Sequence, residues 1–276
     1  MNLLLGLGII GSRCADQLAQ QGHPLITWNR SPKDRPDLSS DLAADAARAT
    51  RVLCYLRDDQ AVRELFTRLA DQLRPGTAFL NHATIDPATT RWLAAECERR
   101  GLEFLDAPFT GSRDAAAAGE LTYYVSAADP ALLEKHRPVL AATSRLIVPL
   151  GAPPAATILK ITTNLLTATT VQALAEALTI CQQHDIAPDA FLQALQGNAT
   201  CSKSAEMKLR AIADTDLTPH FSTENMLKDA DYARQLAHEK NLHLPALEAT
   251  AAQLRQAAEN GHAQNDFSSV AQLLKP

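Results

Sequence analysis

The chain has 276 residues, 46% of them hydrophobic and 21% charged, with 26 basic side chains against 31 acidic ones. That length predicts one large domain or two of ordinary size, and the balance excludes a disordered polymer. A formal net charge of -5 argues against a phosphate-backbone binder, which needs clustered Lys and Arg.

In chain order, short apolar runs predict strands at Asn2–Leu7, Leu25–Trp28, Val52–Leu56, Thr77–Asn81, Glu103–Ala107, Leu121–Ser126 and Arg145–Pro149. Helical periodicity fills most of the gaps, as in Ser12–Gln21, Gln60–Leu73 and Pro87–Arg100. This alternation predicts a doubly wound parallel sheet of the Rossmann type, covered by helices on both faces. Gly151-Ala152-Pro153-Pro154 then breaks the pattern, and no strand is predicted beyond it. Ala155 to about Asp185 lacks Pro and Gly and reads as one long helix, about 45 Å at 1.5 Å per residue. Further helices are predicted at Pro188–Gln196, Thr223–Lys240, Pro245–Asn260 and around Phe267–Leu274. The expected division is a dinucleotide-binding domain over residues 1–152 and an all-α substrate and dimerisation domain over 153–276, joined by the long helix.

Gly6-Leu7-Gly8-Ile9-Ile10-Gly11 is a G-x-G-x-x-G string that closes the first strand and opens a helix. Gly6 permits the tight turn, Gly8 lets backbone approach a pyrophosphate, and Gly11 allows close helix–strand packing. The helix N-terminus then offers N–H groups and a positive dipole end to phosphates. At the end of the second strand an NAD site usually carries an acid for the ribose 2′-OH. Here Asn29 stands in that place, followed by Arg30 and Ser31, with Lys33 beyond. A guanidinium grips a 2′-phosphate through its planar fork, so NADP(H) is expected over NAD(H); the competing reading is a solvated basic loop.

Four separated blocks together resemble the β-hydroxyacid dehydrogenase family, which includes 3-hydroxyisobutyrate dehydrogenases and glyoxylate/succinic semialdehyde reductases. The blocks are Gly6 through Arg30; Asp106-Ala107-Pro108-Phe109-Thr110-Gly111-Ser112 with Gly119 to Thr122; Lys160-Ile161-Thr162-Thr163-Asn164; and Phe221 to Asp229 with Asn265 to Ser268. The resemblance implies Lys160 and Asn164 as catalytic, and Thr110, Gly111, Ser112, Phe221 and Asp229 as substrate-binding. It adds Leu56, Thr84 and Lys228 to the cofactor-binding loop residues. The implied reaction interconverts a small β-hydroxy (or ω-hydroxy) carboxylate and its semialdehyde.

The residues support these roles independently. Hydride transfer to a carbonyl needs a proton donor at the developing alkoxide. Lys160 lies one turn into the long helix among the apolar Ile158, Leu159 and Ile161, and Asn164 shares its face one turn on. Thr110-Gly111-Ser112 follows an apolar strand, where turn N–H groups and two hydroxyls suit a carboxylate, although such a string is also a common turn. Thr110 stands where the family has Ser, and His82-Ala83 where it commonly has Met-Ser.

The histidines lack zinc-site spacing, so no metal is expected. The cysteines, Cys14, Cys54, Cys97, Cys181 and Cys201, form no CxxC pair. With no predicted membrane span and no basic leader ahead of Leu3-Leu4-Leu5, a reduced cytoplasmic protein is expected, without nucleic-acid or membrane partners. The weakly charged stretch Ala155–Ile180 predicts self-association as a homodimer or homotetramer. The rival readings are an NADPH-dependent imine reductase and a catalytically silent NADP-binding protein.

Overall fold

The computed structural model describes residues 1–274, which divide into a first unit, Met1–Lys160, and a second from Ile161 onward. In the first, β1 (Asn2–Leu5), α1 (Ile9–Gln20), β2 (Leu25–Trp28), α2 (Leu42–Arg48), β3 (Arg51–Cys54), α3 (Asp59–Leu69), β4 (Ala78–Asn81), α4 (Pro87–Arg99) and β5 (Glu103–Asp106) alternate as expected. They are followed by β6 (Phe109–Thr110), α5 (Arg113–Ala117), β7 (Leu121–Ser126), α6 (Pro130–Ala141) and β8 (Ser144–Leu150). The sheet order is β2-β1-β3-β4-β5-β7-β6, with β8 beside β7.

Strands β1, β3, β4 and β5 are buried on both faces, which is why they read as apolar runs rather than as an alternation, while the edge strand β2 is mostly half-buried. Leu3, Leu5, Val52, Cys54 and Phe79 point to one core with α2, α3 and α4. Leu4, Leu53, Leu80 and Leu105 point to the other with α1, α5 and α6. The sheet is dominated by parallel pairs, as expected, with a local antiparallel exception. Strand β7 runs antiparallel to β5 and β6, and parallel to β8. The segment between β6 and β7 holds only the short α5, and a parallel crossover needs a dozen or more residues.

Helix α1 begins at Ile9, earlier than the Ser12 expected, with Gly8 as its N-cap and no capping side chain. The long helix α7 runs from Ala155 to Gln183. Beyond it come α8 (Pro188–Gln196), α9 (Lys203–Ala213), α10 (Thr223–Glu239), α11 (Pro245–Ala257) and a closing 3₁₀ helix, Phe267–Leu274. In this unit Ile161, Ala168, Met226, Ala230, Leu247 and Phe267 form one core, and Leu178, Leu192 and Leu209 another. Helix α9 escapes the periodicity reading because Lys203, Glu206, Lys208 and Arg210 interrupt its narrow stripe of Ala205, Leu209 and Ile212. Ser202 starts it by accepting from the Ala205 N–H at 3.1 Å.

The division of the chain falls inside α7, later than the Gly151–Pro154 breaker. The first turn of α7 belongs to the sheet because side chains at the ends of β5 and β7 hold it there.

Candidate active site

The glycine loop lies where the strand order reverses, between β1 and β3, the usual ligand crevice of an open α/β sheet. A Cβ on Gly6, at φ +100°, would come within 2.5 Å of the Tyr55 carbonyl oxygen. One on Gly11 would sit 2.0 Å from the Gly6 oxygen, whereas one on Gly8 would meet nothing within 4 Å. The first and third glycines are thus demanded by packing, and the second faces open space. That cradle, with an uncapped helix N-terminus behind it, fits a dinucleotide pyrophosphate.

Beside the loop lies a cavity of about 510 Å³. Gly6, Gly8, Asn29, Arg30, Ser31 and Leu56 line it, all six predicted from sequence. Trp28, Tyr55, Arg57, Ala61, Glu64, Leu65 and Arg68 join them. Most of these additions sit on one face of α3, at i, i+3, i+4 and i+7 from Ala61, a spacing visible in the sequence but not connected there to the loop. Leu7, Ile9, Ile10 and Gly11 do not line this cavity; Leu7 and Gly11 are buried, Ile10 is half-buried and Ile9 is exposed.

Asn29 has a more defined part than the sequence implied. Its Oδ1 accepts from the Leu7 N–H at 2.9 Å, and its Nδ2 donates to the Ser31 carbonyl at 2.8 Å. An ionised aspartate accepts only, so it could make the first bond but would set a negative oxygen against the Ser31 carbonyl. The amide therefore joins the glycine loop to the end of β2, and leaves Arg30 exposed at the cavity.

Past β4, His82 turns inward rather than lining a ligand site. Its Nδ1 lies 2.8 Å from the Ala107 carbonyl, and its ring stacks on Tyr55 with centroids 4.4 Å apart. Burial pushes its pKa down to about 4, so the imidazole is neutral. Thr84 is half-buried in the turn that follows. Thr110 ends β6, half-buried, Gly111 is exposed, and Ser112 caps α5 by accepting from the Ala115 N–H at 3.1 Å.

Lys160 is only 9% exposed, despite its charge. One turn further along α7, Asn164 is 7% exposed and donates from Nδ2 to Asp229 Oδ2 at 2.6 Å. The other oxygen of buried Asp229 accepts from Lys228 Nζ at 2.6 Å. The Lys228 ammonium also stands 4.7 Å from the centre of the Tyr232 ring. Asn164, Asp229 and Lys228 are thus one hydrogen-bonded group. Phe221 is half-buried and meets Phe267 edge-on, with centroids 6.5 Å apart. No described helix is long and apolar enough to cross a membrane.

A glycine cradle on a doubly wound sheet, with a buried lysine and a buried asparagine one turn apart on the long helix that follows, defines a nicotinamide-dinucleotide oxidoreductase. Residues 3–151 match the profile described as the NAD binding domain of 6-phosphogluconate dehydrogenase. Residues 155–274 match that of the NAD-binding region of NADP-dependent 3-hydroxyisobutyrate dehydrogenase. The chain belongs to the β-hydroxyacid dehydrogenase family. It is 30% identical to an L-threonate dehydrogenase of Escherichia coli, over 98% of this chain and 93% of that one. An NAD-dependent L-serine dehydrogenase of Pseudomonas aeruginosa is 29% identical, over 99% and 97% respectively. Among solved structures, Mycobacterium tuberculosis 3-hydroxyisobutyrate dehydrogenase superposes with a TM-score of 0.89 at 26% identity, covering 100% of this chain and 99% of that one.

Proposed function

We propose that this oxidoreductase interconverts a small β-hydroxy or ω-hydroxy carboxylate and its semialdehyde, with NADP(H) preferred and Lys160 as the acid–base. The observation that carries the reading is a lysine nine-tenths buried on α7, one turn before an amide that Asp229 orients. A charged side chain is costly to bury, so this position is a constrained one.

When bound, a nicotinamide dinucleotide supplies or takes the hydride. In the reductive direction the Lys160 ammonium donates a proton to the carbonyl oxygen, ending as the neutral amine. Asn164 steadies the same oxygen, with Asp229 fixing the amide's rotation. Thr110, Gly111 and Ser112 hold the substrate carboxylate; the Ser112 oxygen is spent on its cap bond, but its O–H remains a donor. The Arg30 guanidinium beside the cavity takes the 2′-phosphate, with Arg68 adding positive charge across from Glu64 and Arg57 held by Asp58 at 3.2 Å.

The test is an NADPH-consumption screen over glyoxylate, succinic semialdehyde, tartronate semialdehyde, methylmalonate semialdehyde and cyclic imines, run beside Lys160→Met. Turnover of a semialdehyde that Lys160→Met abolishes is expected. Turnover of imines alone would overturn the reading.

A further inference from the structure

We infer that Asp106, with Ser126 and Thr157, is the positioning device that aims Lys160, an assignment that rests on the acid–base reading above. Pro154, which precedes α7, has no side-chain oxygen to cap it. Every N–H of the first turn is nevertheless accounted for. Ala155 donates to the Ala152 carbonyl at 3.2 Å, and Ile158 to the Pro154 carbonyl at 3.0 Å. Ala156 donates to Ser126 Oγ at 3.2 Å, and Thr157 to Asp106 Oδ2 at 2.9 Å.

Two of the four acceptors therefore come from strand ends, tens of residues away in the chain. The hydroxyls complete the network. Thr157 Oγ1 donates to Asp106 Oδ1 at 2.8 Å, and Ser126 Oγ donates to Asp106 Oδ2 at 3.2 Å. Each hydroxyl has one proton, so the 2.9 Å contact of Thr157 with Thr90 is donated by Thr90. The carboxylate thus accepts from one backbone N–H and two hydroxyls in a fully buried site, and lies at the positive end of the longest helix in the chain. A partner this costly to bury is more than a generic cap; burial lifts the Asp106 pKa to about 6, and its donors oppose the rise.

The consequence for Lys160 is geometric. Thr157 and Lys160 are three residues apart and share a helix face, as do Lys160 and Asn164 at four. Clamping Thr157 by both its N–H and its hydroxyl fixes the rotation and the height above the sheet of the first turn of α7, residues 155–160, which belongs to the same unit as the sheet. The direction in which Lys160 leaves the helix follows from both. Asp106 and Thr157 make no claim on substrate; they act through Lys160.

The experiment compares Asp106→Asn, Thr157→Val and Thr157→Ser with Lys160→Met, measuring kcat, KM and the dissociation constant of NADPH. Misplacing a reacting group by about 1 Å costs up to about a hundredfold in rate. Asp106→Asn, which turns an amide N–H toward donors, should lower kcat at least about tenfold. Thr157→Val is nearly isosteric; with its fold checked by circular dichroism, it should lower kcat about three- to tenfold, and Thr157→Ser should restore it to within about twofold. NADPH affinity should stay within about twofold throughout, because the cavity beside Gly6 and Arg30 is untouched. Hydrogen exchange of the amides of residues 155–160 should quicken in Asp106→Asn and Thr157→Val. If Lys160→Met abolishes turnover while Thr157→Val keeps wild-type kcat, the positioning assignment is overturned alone. A Thr157→Val loss that Thr157→Ser fails to restore, or one matched by an equal loss of NADPH affinity, also overturns it. Turnover retained in Lys160→Met overturns the acid–base reading, and the assignment with it.

Discussion

Lys208 Nζ lies 2.6 Å from Asp266 Oδ1, with the two side chains only 5% and 2% exposed. The same carboxylate accepts the backbone N–H groups of His220 at 2.9 Å and Phe221 at 3.3 Å, and the Lys208 ammonium stands 4.3 Å from the centre of the Phe267 ring. Breaking a buried pair leaves an uncompensated charge, which costs about 3–5 kcal/mol. Asp266→Ala should lose about that much stability in urea unfolding, and a loss under about 1 kcal/mol would contradict a dry pair. Burial alone would raise the Asp266 pKa, but Lys208 and the N–H donors outweigh it and hold it below the ordinary value. Burial pulls the Lys208 pKa down, opposed by Asp266. A depressed folded pKa gives stability that is complete above about pH 4 and lost as pH falls further.

Lys160→Met keeps the length of the side chain while removing its proton and charge. A kcat at least about a hundredfold lower is expected, with NADPH binding nearly unchanged. Lys160→Arg should fail as well, because a guanidinium holds its proton too tightly. Stopped-flow measurement with the chemical step shown to limit the rate decides the matter; retention of a tenth of wild-type turnover would be too much.

Arg30→Ala should weaken NADP binding by about tenfold or more and leave NAD binding nearly unchanged, since a charge-assisted contact is worth about 1.5–3 kcal/mol. Calorimetric titration of both dinucleotides checks it. Equal losses would mean that Arg30 serves the loop alone. Asn29→Asp should damage both, because it sets a carboxylate against the Ser31 carbonyl.

His82 makes the fold sensitive to acid. Its folded pKa of about 4 lies below the ordinary 6.5, so its contribution is full above 6.5 and lost as pH falls through 4. The loss approaches about 3 kcal/mol. Asp106 works in the opposite sense, since its raised pKa removes stability as pH climbs through about 6. His82→Phe should flatten the acid limb of a pH–stability curve without altering the Asp106 contribution. An unchanged limb would place the acid sensitivity elsewhere.

Helix α7 exposes Leu166 at 68% and Ile180 at 63%, on a segment whose only charged residues up to Ile180 are Lys160 and Glu176. These positions should be covered by self-association. Sedimentation should show a dimer or larger species, and Leu166→Glu with Ile180→Glu should shift it toward the 29.8 kDa chain. A wild-type monomer at micromolar concentration would end this expectation.

The glycine string, Arg30, the long α7 and the Lys160/Asn164 spacing were legible in the sequence because each is local. A strand, a turn and a helix in immediate succession define the dinucleotide loop, and a helical repeat puts residues 160 and 164 on one face. What the tertiary structure alone decided depends on partners far apart in the chain. Arg68 reaches the cavity because α3 packs beside the loop after β1. Asn29 is an amide rather than an acid because folding sets an N–H of Leu7 and a carbonyl of Ser31 on its two sides. Asp106 and Thr157, 51 residues apart, meet only when β5 ends beneath the first turn of α7. Lys208 and Asp266, 58 apart, pair only because folding brings α9 against the segment that leads into the closing 3₁₀ helix. Periodicity reports which face of an element leaves water; it does not report which polar group awaits there, because that partner is chosen by packing.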